Sequence, residues 1–442
     1  MASPTEETSP NSKVFVLGET SELRFDVPYN EVTVKLRSGY AEIFGAPLEE
    51  DKEYTFEGGM RVAVYSWPGA TIELIGPTCT AFIAENGPTV LELLPMIHYG
   101  KTIYELEQAR KKAVADKTGK TRGPRTMVVG PPDVGKSTLC RILANYAVLS
   151  QHRPIFVDVD VGQGNISVAG TIGAVVVDRV ADPVDGFDCR NAKIFQFGST
   201  SPGANIPFYK HLVGELADMV DNDCAENPDL NSSGVIINTC GWVHGAGYRS
   251  LRHVAKCFRI DVMVVLCTEL ERSYTDLKRH VPNYVKTVYL PKSNGVQARN
   301  SSMRAESRRM SIHKYFYGTR QLSLAPFLKI IPFDDLVLAK IGTDRSHGLW
   351  LPHGMKTNSR KMVVRLEHSP KFKNHVVAIV PPQYTMVDET LLSARAIGFI
   401  VIKDVYVKER QIRIMCPQGC SQGPTIGLLA ETTFIDDSRA LR

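Results

Sequence analysis

The sequence predicts an α/β protein in which a central domain with a parallel sheet lies between an N-terminal β-sandwich and a small β-rich C-terminal domain. Three observations predict this. Apolar and polar residues alternate from about Val14 to Leu94, apolar runs alternate with helix-like segments between Pro124 and Gly318, and alternation returns after Gly318. A period of two is typical of half-buried antiparallel strands, and strand and helix repeats are typical of parallel sheets. The 442 residues are enough for about three domains of ~150 residues.

The N-terminal part consists of short alternating runs such as "ELRFDV", "VTVKLRSGYAEIF", "YTFEGGMRVAVYSW" and "ATIELIG", separated by Gly, Pro and Asn. This spacing of strands and turns predicts an antiparallel sandwich over residues 14–98. The preceding residues 1–13, "MASPTEETSPNSK", are polar and rich in Ser, Thr and Pro, so we predict a disordered tail. The segment "YGKTIYELEQARKKAVADKTGK" predicts a helix that runs into a linker, covering residues 99–122.

Residues 123–318 contain apolar strand-like runs, such as "TMVVG", "PIFVDVDVG", "GVIINTCGW" and "IDVMVVLC", and helix-like segments, such as "KSTLCRILANYAVLS" and "PFYKHLVGELADMVDN". Because the two kinds of segment alternate, we expect a parallel sheet with helices on both faces. After it, "KMVVRLEH", "HVVAIV" and "AIGFIVIKDVYVKERQIRIM" alternate again and predict the β-rich domain over residues 319–442.

Composition excludes several classes of protein. No apolar run approaches the ~20 residues that span a bilayer, and the polar N-terminus lacks the layout of a signal peptide. We therefore expect no membrane segment and a chain that stays inside the cell. The nine cysteines are scattered, with only Cys416 and Cys420 close together, which favours reduced thiols over disulfides or a zinc site. A net charge of +5 is too small to decide for or against a nucleic-acid partner.

The central domain begins with a phosphate-binding signature. The stretch "GPPDVGKS" matches G-x-x-x-x-G-K-[ST], with an apolar run before it and a helix-like segment after it. In a P-loop the main-chain amides surround phosphate oxygens, Lys136 reaches the β- and γ-phosphates, and Ser137 binds Mg²⁺. The alternative is a glycine-rich turn with an incidental lysine. We predict a P-loop NTPase domain that binds ATP through Gly130, Pro131, Pro132, Asp133, Val134, Gly135, Lys136, Ser137 and Thr138.

Two carboxylates follow the next apolar run. If the strand of "IFVDVDVGQG" extends far enough, Asp158 and Asp160 project from one face, with Asp160 nearer its carboxyl end. Ligands of open α/β sheets bind at those ends. Asp160 is therefore the candidate for the carboxylate beside Mg²⁺ and the attacking hydroxyl, and Asp158 is the second candidate. A strand-end aspartate that only caps the next turn is the alternative.

An arginine-rich segment favours phosphoryl transfer over a nucleotide switch. The chain lacks the Asn-Lys-x-Asp element of guanine-specific GTPases, and it carries "GVQARNSSMRAESRRMSIHKYFYG". In this segment Arg304 and Arg308 are four residues apart and share a helix face, with Arg299 just upstream. A mobile helix of this kind can bring positive charge to a migrating phosphoryl group. The alternative is a solvated basic face.

The loop "NTCGWVHG" follows a further buried strand. Its Trp242 lies at the predicted ligand-binding edge of the sheet, where an indole ring can stack on a nucleobase. A tryptophan packed in the ordinary way is the competing interpretation.

Together these motifs carry a resemblance. The stretches "GPPDVGKST", "DVDVGQG", "FGSTSPGAN", "INTCGW", "LPKSNGV.AR" and "YFYG", with "ELRF" and "GYAEIFG" near the start, resemble the eukaryotic polyribonucleotide 5′-hydroxyl kinase family. Members of that family are also subunits of the pre-mRNA 3′-end cleavage and polyadenylation machinery, and animal members associate with the tRNA splicing endonuclease. The resemblance implies three domains, ATP bound between the first two, and work in the nucleus.

The resemblance also implies roles for individual residues. It places Glu22, Phe44 and Arg61 around the adenine, and it makes Lys136 and Ser137 the P-loop lysine and hydroxyl. It assigns Asp160 to Mg²⁺ and the base, Trp242 to the clasp that holds the terminal nucleotide, and Arg299, Arg304 and Arg308 to the lid. From the same matching motifs we assign Thr239, Ser199 and Thr200, with Trp242, to RNA binding.

The leading hypothesis is an ATP- and Mg²⁺-dependent kinase acting on RNA with a 5′-hydroxyl end. We expect it to be a nuclear protein with pre-mRNA cleavage factor subunits and tRNA splicing endonuclease subunits as partners. The alternative hypothesis is a catalytically inactive ATP-binding scaffold of the cleavage and polyadenylation complex. A GTPase-type switch is disfavoured by the missing guanine element.

Overall fold

The computed structural model describes residues 12–28, 30–78, 80–87, 94–267, 275, 278–342, 363–381, 388–417 and 425–435. Most of the predicted disordered tail therefore lies outside the described residues. Its last two residues, Ser12 and Lys13, belong to the first strand, where they pair with Ile75 and Leu74. The prediction of disorder is wrong for these two residues, because a polar composition does not prevent an edge strand from pairing.

The N-terminal domain is a sandwich of two antiparallel sheets, as predicted. Within the described residues its sheets have the orders β1-β8-β3-β6 and β5-β4-β7-β2-β9. The inward faces supply a buried apolar core that includes Leu23, Phe25 and Val34. The strands are β1 (Ser12–Leu17), β2 (Ser21–Asp26), β3 (Val32–Gly39), β4 (Glu42–Ile43), β5 (Ala46–Pro47), β6 (Glu53–Phe56), β7 (Arg61–Ser66), β8 (Ala70–Ile75) and β9 (Ala81–Ala84).

The helix α1 (Pro95–Ala115) leads from the sandwich to the central domain. It begins four residues before the predicted start at residue 99, because Pro95 occupies the first turn, where its missing N–H costs no hydrogen bond. Its last buried residues, Arg110 and Ala113, precede the polar segment that runs to the first central strand.

The central domain is built on an eight-stranded sheet within the described residues, in the order β16-β15-β10-β14-β11-β12-β13-β21. Its strands are β10 (Arg125–Val129), β11 (Ile155–Asp158), β12 (Thr171–Val176), β13 (Lys193–Gln196), β14 (Val235–Asn238), β15 (Val262–Cys267), β16 (Lys286–Pro291) and β21 (Arg395–Ala396). Its helices are α2 (Lys136–Leu149), α3 (Ile206–Glu226), α4 (Pro228–Ser233), α5 (Ala246–Cys257) and α6 (Ser301–Tyr317).

The sheet is parallel from β16 to β11 and antiparallel from β12 to β21. The prediction of a parallel sheet is therefore right for only part of it. A parallel connection needs a crossover, usually a helix, and the residues between β11 and β12 form none. One face of the sheet packs against α1 and α2, and the other packs against α3 and α5. This two-faced burial places the carboxyl ends of β10, β11 and β14 at one open edge.

The C-terminal domain is a seven-stranded sheet within the described residues, ordered β17-β23-β22-β20-β24-β18-β19. Ile312 and Phe316 of α6 are buried in its core with Phe399 and Phe434, so the second half of α6 is anchored there. The remaining elements are β17 (Phe327–Pro332), β18 (Leu336–Ile341), β19 (Val363–Leu366), β20 (His375–Val380), α7 (Asp388–Leu391), β22 (Gly398–Tyr406), β23 (Gln411–Cys416) and β24 (Thr425–Thr433).

Two expectations from composition can be compared with the structure. Among the described residues, no helix combines the length and the apolar character needed to cross a membrane. The cysteines in the same part of the chain are free thiols: Cys140, Cys189, Cys224, Cys240, Cys257, Cys267 and Cys416.

Candidate active site

The P-loop follows β10 and closes tightly on its neighbours. Gly130 has a φ of +155°, and a Cβ at this position would lie 2.1 Å from the carbonyl oxygen of Leu266. Gly135 has a φ of +93° and directly precedes α2. Both positions need glycine, because a side chain would meet backbone in the first case and would strain the left-handed conformation in the second. The loop therefore has the shape that its sequence pattern predicts.

The first turn of α2 is suited to hold an anion. No side chain caps its N-terminal amides, and the turn contains no acidic residue. Lys136 is only 8 % exposed, and its Nζ donates to the carbonyl oxygen of Pro131 at 2.8 Å. Burial lowers the pKa of Lys136, and the charge of Asp160 opposes that shift. Uncapped amides and a buried ammonium group beside them fit the phosphates of ATP.

Ser137 belongs to a polar network, with Asp158 and Asn238 buried at its centre, that the sequence did not reveal. Its Oγ lies 3.3 Å from Nδ2 of Asn165 and 3.3 Å from Nδ2 of Asn238. The same two amides donate to Asp158, at 2.8 Å from Asn165 and 3.0 Å from Asn238. The hydroxyl is thereby oriented from both sides. The only available signal in the sequence was that Asn238, like Asp158, is the last residue of a buried strand run.

Asp158 is a structural acceptor in this network. It is 2 % exposed, and it also accepts hydrogen bonds from the backbone N–H groups of Asp160 and Asn165. Burial, with the nearby charge of Asp160, raises the pKa of Asp158 to about 6. Because both carboxylate oxygens are occupied by donors, Asp158 does not present a free oxygen to a substrate. It is therefore a poor candidate for direct chemistry, although its network reaches Ser137.

Asp160 lies just beyond the strand, since β11 ends at Asp158. The strand therefore stops short of Asp160, and the condition under which both carboxylates would project from one strand face is not met. Oδ1 of Asp160 accepts from the N–H of Gly162 at 2.9 Å and of Gln163 at 3.3 Å, so the turn-capping interpretation describes this oxygen. The other oxygen, Oδ2, accepts no hydrogen bond within the described part of the chain. Asp160 is half-buried, and it is close enough to Lys136 to affect the pKa of that amine.

These groups fit Mg²⁺ as well as ATP. Mg²⁺ usually keeps several waters and is held by one or two carboxylates together with substrate phosphates. Ser137 Oγ can bind the metal directly, and the Asp160 carboxylate can accept a hydrogen bond from one of the metal-bound waters. Among the described residues there is no cluster of three His, Cys, Asp or Glu that could hold a metal without phosphates.

The lid, which consists of α6 and the residues from Arg299 that lead into it, contacts the P-loop directly. Arg299 donates its backbone N–H to Oδ2 of Asp133 at 2.9 Å, and its Nε lies 3.3 Å from Oδ1. Nη2 of Arg304 lies 2.5 Å from Oδ2 of the same carboxylate. Gln163 joins them, since its side chain accepts from Arg299 and donates to the carbonyl oxygen of Arg304. The structure thus brings Arg299 and Arg304 to the P-loop through Asp133, a role the sequence did not predict for that residue.

Arg308 differs from the other two lid arginines. It lies one turn after Arg304 on the same helix and is half-buried. No ion pair engages it in the part of the chain that the structure describes. Its guanidinium group is therefore the lid cation that is left available to a phosphate.

The predicted clasp lies beside the P-loop. A Cβ at Gly241 would lie 2.6 Å from the backbone nitrogen of Pro132, so the clasp loop packs on the P-loop. The indole of Trp242 lies between Gly203 and Gly247, whose Cβ positions would be 3.6 Å and 2.8 Å from the ring. Trp242 is half-buried, which leaves part of the ring for stacking.

The three predicted RNA-binding hydroxyls do not share one environment. Thr239 is 1 % exposed and donates to the carbonyl oxygen of Val128 at 2.8 Å, so its side chain fastens the clasp loop to β10 and does not face a substrate. Ser199 and Thr200 are better placed. A Cβ at Gly162 would lie 2.9 Å from the carbonyl oxygen of Thr200, which puts this segment against the turn that carries Asp160.

The residues expected around the adenine are not gathered together. Glu22 pairs with Tyr65 and Asp26 pairs with Arg61 in the β2–β7 ladder. Four ladder steps thus separate Glu22 from Arg61, or about 13 Å at ~3.3 Å per residue. Arg61 instead forms an ion pair with Asp26, with 3.3 Å between Nε and Oδ1. The structure therefore shows no contact between Arg61 and Glu22, and the role of Arg61 at the adenine stays a prediction.

Phe44 and Arg24 also belong to the N-terminal domain, and their contacts bear on the predicted adenine site. Phe44 packs on α2, where the guanidinium of Arg141 lies 5.4 Å from its ring centroid, so its ring is engaged by the helix. Arg24, which sequence reasoning missed, forms an ion pair with Glu22 at 2.5 Å. A Cβ at Gly295 would lie 3.4 Å from its Nε, so Arg24 reaches the loop that precedes the lid. Its position two residues after Glu22, on the same strand face, was the signal in the sequence.

Comparison with known proteins supports the resemblance found in the motifs. Residues 16–113 match the N-terminal beta-sandwich domain of polyadenylation factor, residues 130–318 match the mRNA cleavage and polyadenylation factor CLP1 P-loop, and residues 324–436 match the pre-mRNA cleavage complex II protein Clp1. The chain belongs to the Clp1 family.

Relatives within the Clp1 family match along the full length of the chain. The Protein CLP1 homolog of Brugia malayi is 44 % identical over 438 residues, which is 98 % of each chain. Protein clpf-1 of Caenorhabditis briggsae is 39 % identical, over 96 % of this chain and 97 % of its own. The polyribonucleotide 5′-hydroxyl-kinase Clp1 of Homo sapiens is 38 % identical over 98 % of both chains.

Solved structures of the Clp1 family have the same fold. A wild-type Clp1p–Pcf11p complex matches with a TM-score of 0.82 at 20 % identity, covering 96 % of this chain and 99 % of its own. A structure of the extended interface between Pcf11p and Clp1p matches with a TM-score of 0.83 at 21 % identity, covering 97 % and 100 %. These matches confirm the three-part architecture predicted from the sequence.

Proposed function

We propose that this Clp1-family chain is an ATP-dependent polynucleotide kinase that transfers the γ-phosphoryl group of ATP to the 5′-hydroxyl of RNA. The observation that carries the proposal is the meeting of three features in one cleft. A P-loop with a buried lysine, a carboxylate with a free oxygen and an arginine-bearing helix lie at the carboxyl ends of β10 and β11. Relatives named polyribonucleotide 5′-hydroxyl-kinase support the choice of reaction.

Phosphoryl transfer depends mainly on positioning and on charge, and the residues divide these tasks. The amides of the first turn of α2 and the Nζ of Lys136 hold the phosphates. Asp160 accepts the hydrogen bond of the 5′-hydroxyl through Oδ2 and takes its proton as the hydroxyl oxygen bonds to the γ-phosphorus, while the bond from that phosphorus to the β-phosphate oxygen breaks and ADP leaves. Arg308 stabilises the charge on the migrating group, while Arg299 and Arg304 hold the lid over the P-loop. Trp242 stacks on the terminal base, which is worth ~1–3 kcal/mol per base.

We also propose Mg²⁺ as the metal of the reaction. When bound, Mg²⁺ neutralises charge on the phosphate oxygens. Ser137 would hold it directly and Asp160 would hold it through a bound water, and the amides of Asn165 and Asn238 keep the serine hydroxyl oriented.

The cellular setting of the proposed activity follows from the family. We propose that the chain assembles with pre-mRNA cleavage factor subunits and with subunits of the tRNA splicing endonuclease, and that it acts in the nucleus. The solved complexes of Clp1p with Pcf11p support the first of these partners. Co-purification of the tagged chain from nuclear extract tests all three statements, and recovery without any of these subunits would contradict them.

Transfer of radiolabel from γ-labelled ATP to an oligoribonucleotide tests the kinase activity. The wild-type chain is expected to label RNA with a 5′-hydroxyl and not the same RNA with a 5′-phosphate. K136A should lower the rate by on the order of 10²–10³, because it removes a preorganised cation from the phosphates. K120A, in the exposed linker, is the matched control.

Two results would count against the proposal. Labelling by K136A at the wild-type rate would remove the P-loop from the reaction. Binding of ATP by the wild-type chain without any transfer to RNA would favour the alternative, an inactive scaffold. A DNA oligonucleotide of the same sequence, tested beside the RNA, measures the preference for RNA.

A further inference from the structure

A basic surface lies on α5, which begins beside the clasp, and no motif in the sequence singled it out. Three exposed cations, Arg249, Arg252 and Lys256, occupy positions i, i+3 and i+7 of this helix. This spacing places them on one face. The opposite face is buried against the sheet, and the helix contains no acidic residue. The three cations form no ion pair with the described residues.

This face begins where the terminal nucleotide would be held. The helix starts four residues after Trp242, and its Gly247 packs against the indole. Arg249 follows two residues later, so the first cation lies one turn or less from the clasp. From Arg249 to Lys256 the face extends by about 10 Å at ~1.5 Å per residue. A strand that leaves the clasp along α5 would pass each cation in turn.

A second element adds positive charge to the same surface. His253, on the α5 face between Arg252 and Lys256, donates to the carbonyl oxygen of Lys210 in α3 at 2.9 Å. Burial lowers the pKa of His253, and the charges of Lys210 and Lys256 lower it further. Lys210 therefore lies close enough to this face of α5 for its charge to act on His253. Acidic residues of α3 lie at the carboxyl end of α5, where the charge of Asp218 acts on Cys257 and Asp221 pairs with Arg259.

The two basic stretches that are visible in the sequence do not offer such a surface. In the stretch Ala109–Arg125, Arg110 is 2 % exposed and donates to Ser233, and Arg122 pairs with Asp261 at 3.0 Å. This stretch ends where β10 begins, at the edge of the sheet opposite the P-loop. In the lid segment, the two arginines nearest the P-loop are engaged by Asp133.

We infer that the exposed face of α5, defined by Arg249, Arg252 and Lys256 together with Lys210 of α3, binds the phosphate backbone of the RNA strand beyond its first two nucleotides. The inference rests on the proposed function, because it takes the 5′ end to lie at Trp242. Phosphate contacts of this kind position a strand without reading its sequence. They make affinity depend on the length of the strand and on salt.

The test uses the charge-reversed variant R249E/R252E of the full chain, with R249A/R252A as a milder second variant. Single-stranded 5′-hydroxyl oligoribonucleotides of 2, 4, 8 and 12 nucleotides serve as substrates. The wild-type KM should fall with length, whereas R249E/R252E should raise the KM for the 12-mer by about tenfold and leave the KM for the dinucleotide within about twofold. K117E/K120E, in the linker at the opposite edge of the sheet, is the matched control.

A binding measurement keeps this inference separate from the proposed function. The fluorescence anisotropy of a labelled 5′-hydroxyl 12-mer gives Kd over a range of salt concentrations, without any chemical step. Loss of two phosphate contacts should make the slope of log K against log salt shallower by about 1.4. If no oligonucleotide is phosphorylated by the wild-type chain, the proposed function fails and the anisotropy still decides the inference.

Two outcomes would overturn the inference. One is that the Kd and the salt slope for the 12-mer are unchanged in R249E/R252E. If this variant then fails to bind an acidic protein that the wild-type chain binds, the face serves a protein partner and not RNA. The other is an equal loss for the dinucleotide and the 12-mer, which would place the defect in the cleft.

Discussion

Arg304 of the lid donates to Asp133 of the P-loop, with 2.5 Å between Nη2 and Oδ2. Arg299 binds the same carboxylate, and the two arginines therefore share one acidic partner. Burial acts to raise the pKa of Asp133, but the hydrogen bonds from both arginines outweigh it and hold the pKa below its ordinary value. The lid is thus fastened to the phosphate-binding loop through side chains of the chain itself.

The first prediction concerns this contact. D133N keeps the shape of the side chain and removes its charge, so the lid should separate more often from the P-loop. Trypsin should then cut between Arg299 and Lys314 about fivefold faster, which corresponds to ~1 kcal/mol for a partly exposed, charge-assisted pair. Limited proteolysis with mass spectrometry measures the rate at each site.

E306Q is the control for the lid contact, because Glu306 pairs with Arg309 on the solvent side of the same helix. It should leave the cleavage rate unchanged. ATP should slow cleavage in D133N, since phosphates then provide the anion that the arginines bind. Equal cleavage of D133N and the wild-type chain would mean that Asp133 does not hold the lid.

The second prediction separates the three lid arginines. Arg308 has no ion pair among the described residues, so R308A should leave the lid contact intact and remove a charge from the transition state. Its kcat should fall by at least about 10²-fold. R304A should lower kcat and also speed the cleavage of the lid. Single-turnover transfer to a 5′-hydroxyl RNA, paired with the proteolysis assay, distinguishes the two variants. A full rate in R308A would assign the charge to another residue.

The third prediction follows from the buried position of Thr239. T239V keeps the volume of the side chain and removes the hydroxyl that donates to Val128. The protein should lose about 1 kcal/mol of unfolding free energy, the typical value of a neutral hydrogen bond. The KM for RNA should not change. Urea unfolding and a KM measurement check the two statements. A raised KM for RNA with unchanged stability would mean that Thr239 binds RNA, as the sequence predicts.

The architecture was largely predictable from the sequence, because periods of two and of 3.6 residues reflect burial on one face. The antiparallel direction of β12, β13 and β21 in the central sheet could not be predicted, because a buried strand such as β12 has the same apolar pattern in either direction. The strand β21 spans only Arg395 and Ala396, which is too short to leave a pattern.

The site was predictable only as far as its motifs extend. Lys136 and Ser137 lie where the P-loop pattern places them, because that pattern encodes a complete backbone shape. The pairing of Asp133 with Arg299 joins residues 166 positions apart, and no local pattern signals it. The spacing of Asp158 and Asp160 was clear, but whether β11 continues to Asp160 depends on the turn that the Asp160 carboxylate itself caps.

The fourth prediction tests the base-binding surface. Arg61 pairs with Asp26, about 13 Å along the ladder from Glu22, whereas Arg24 pairs with Glu22 and reaches the loop before the lid. R61A should therefore change the KM for ATP by less than twofold, and R24A should raise it by about tenfold. Steady-state kinetics at saturating RNA measures both values. The reverse order would restore the adenine contact that the family resemblance implies for Arg61.

The fifth prediction concerns Glu42, which is 1 % exposed where the sandwich packs on α2. Tyr146 of α2 donates its hydroxyl to the Glu42 carboxylate at 2.8 Å and accepts from Nε1 of Trp67 at 2.9 Å. Burial raises the pKa of Glu42 to about 7, although the hydrogen bond from Tyr146 acts in the opposite direction. The folded chain therefore binds a proton that the unfolded chain releases at lower pH.

The sign of the pH dependence follows from that shift. A raised pKa in the folded state gives stability that is complete below about pH 4.5 and is lost as the pH rises through about 7. E42Q stays neutral at every pH and keeps an oxygen that accepts from Tyr146. It should match the wild-type chain near pH 5 and exceed its unfolding free energy by about 1–3 kcal/mol at pH 8.5. Urea unfolding from pH 5 to 8.5 measures the difference, with E57Q as the exposed control. Parallel curves for E42Q and the wild-type chain would show that the Glu42 carboxyl does not titrate in this range, and the contact between the sandwich and α2 would then owe nothing to its proton.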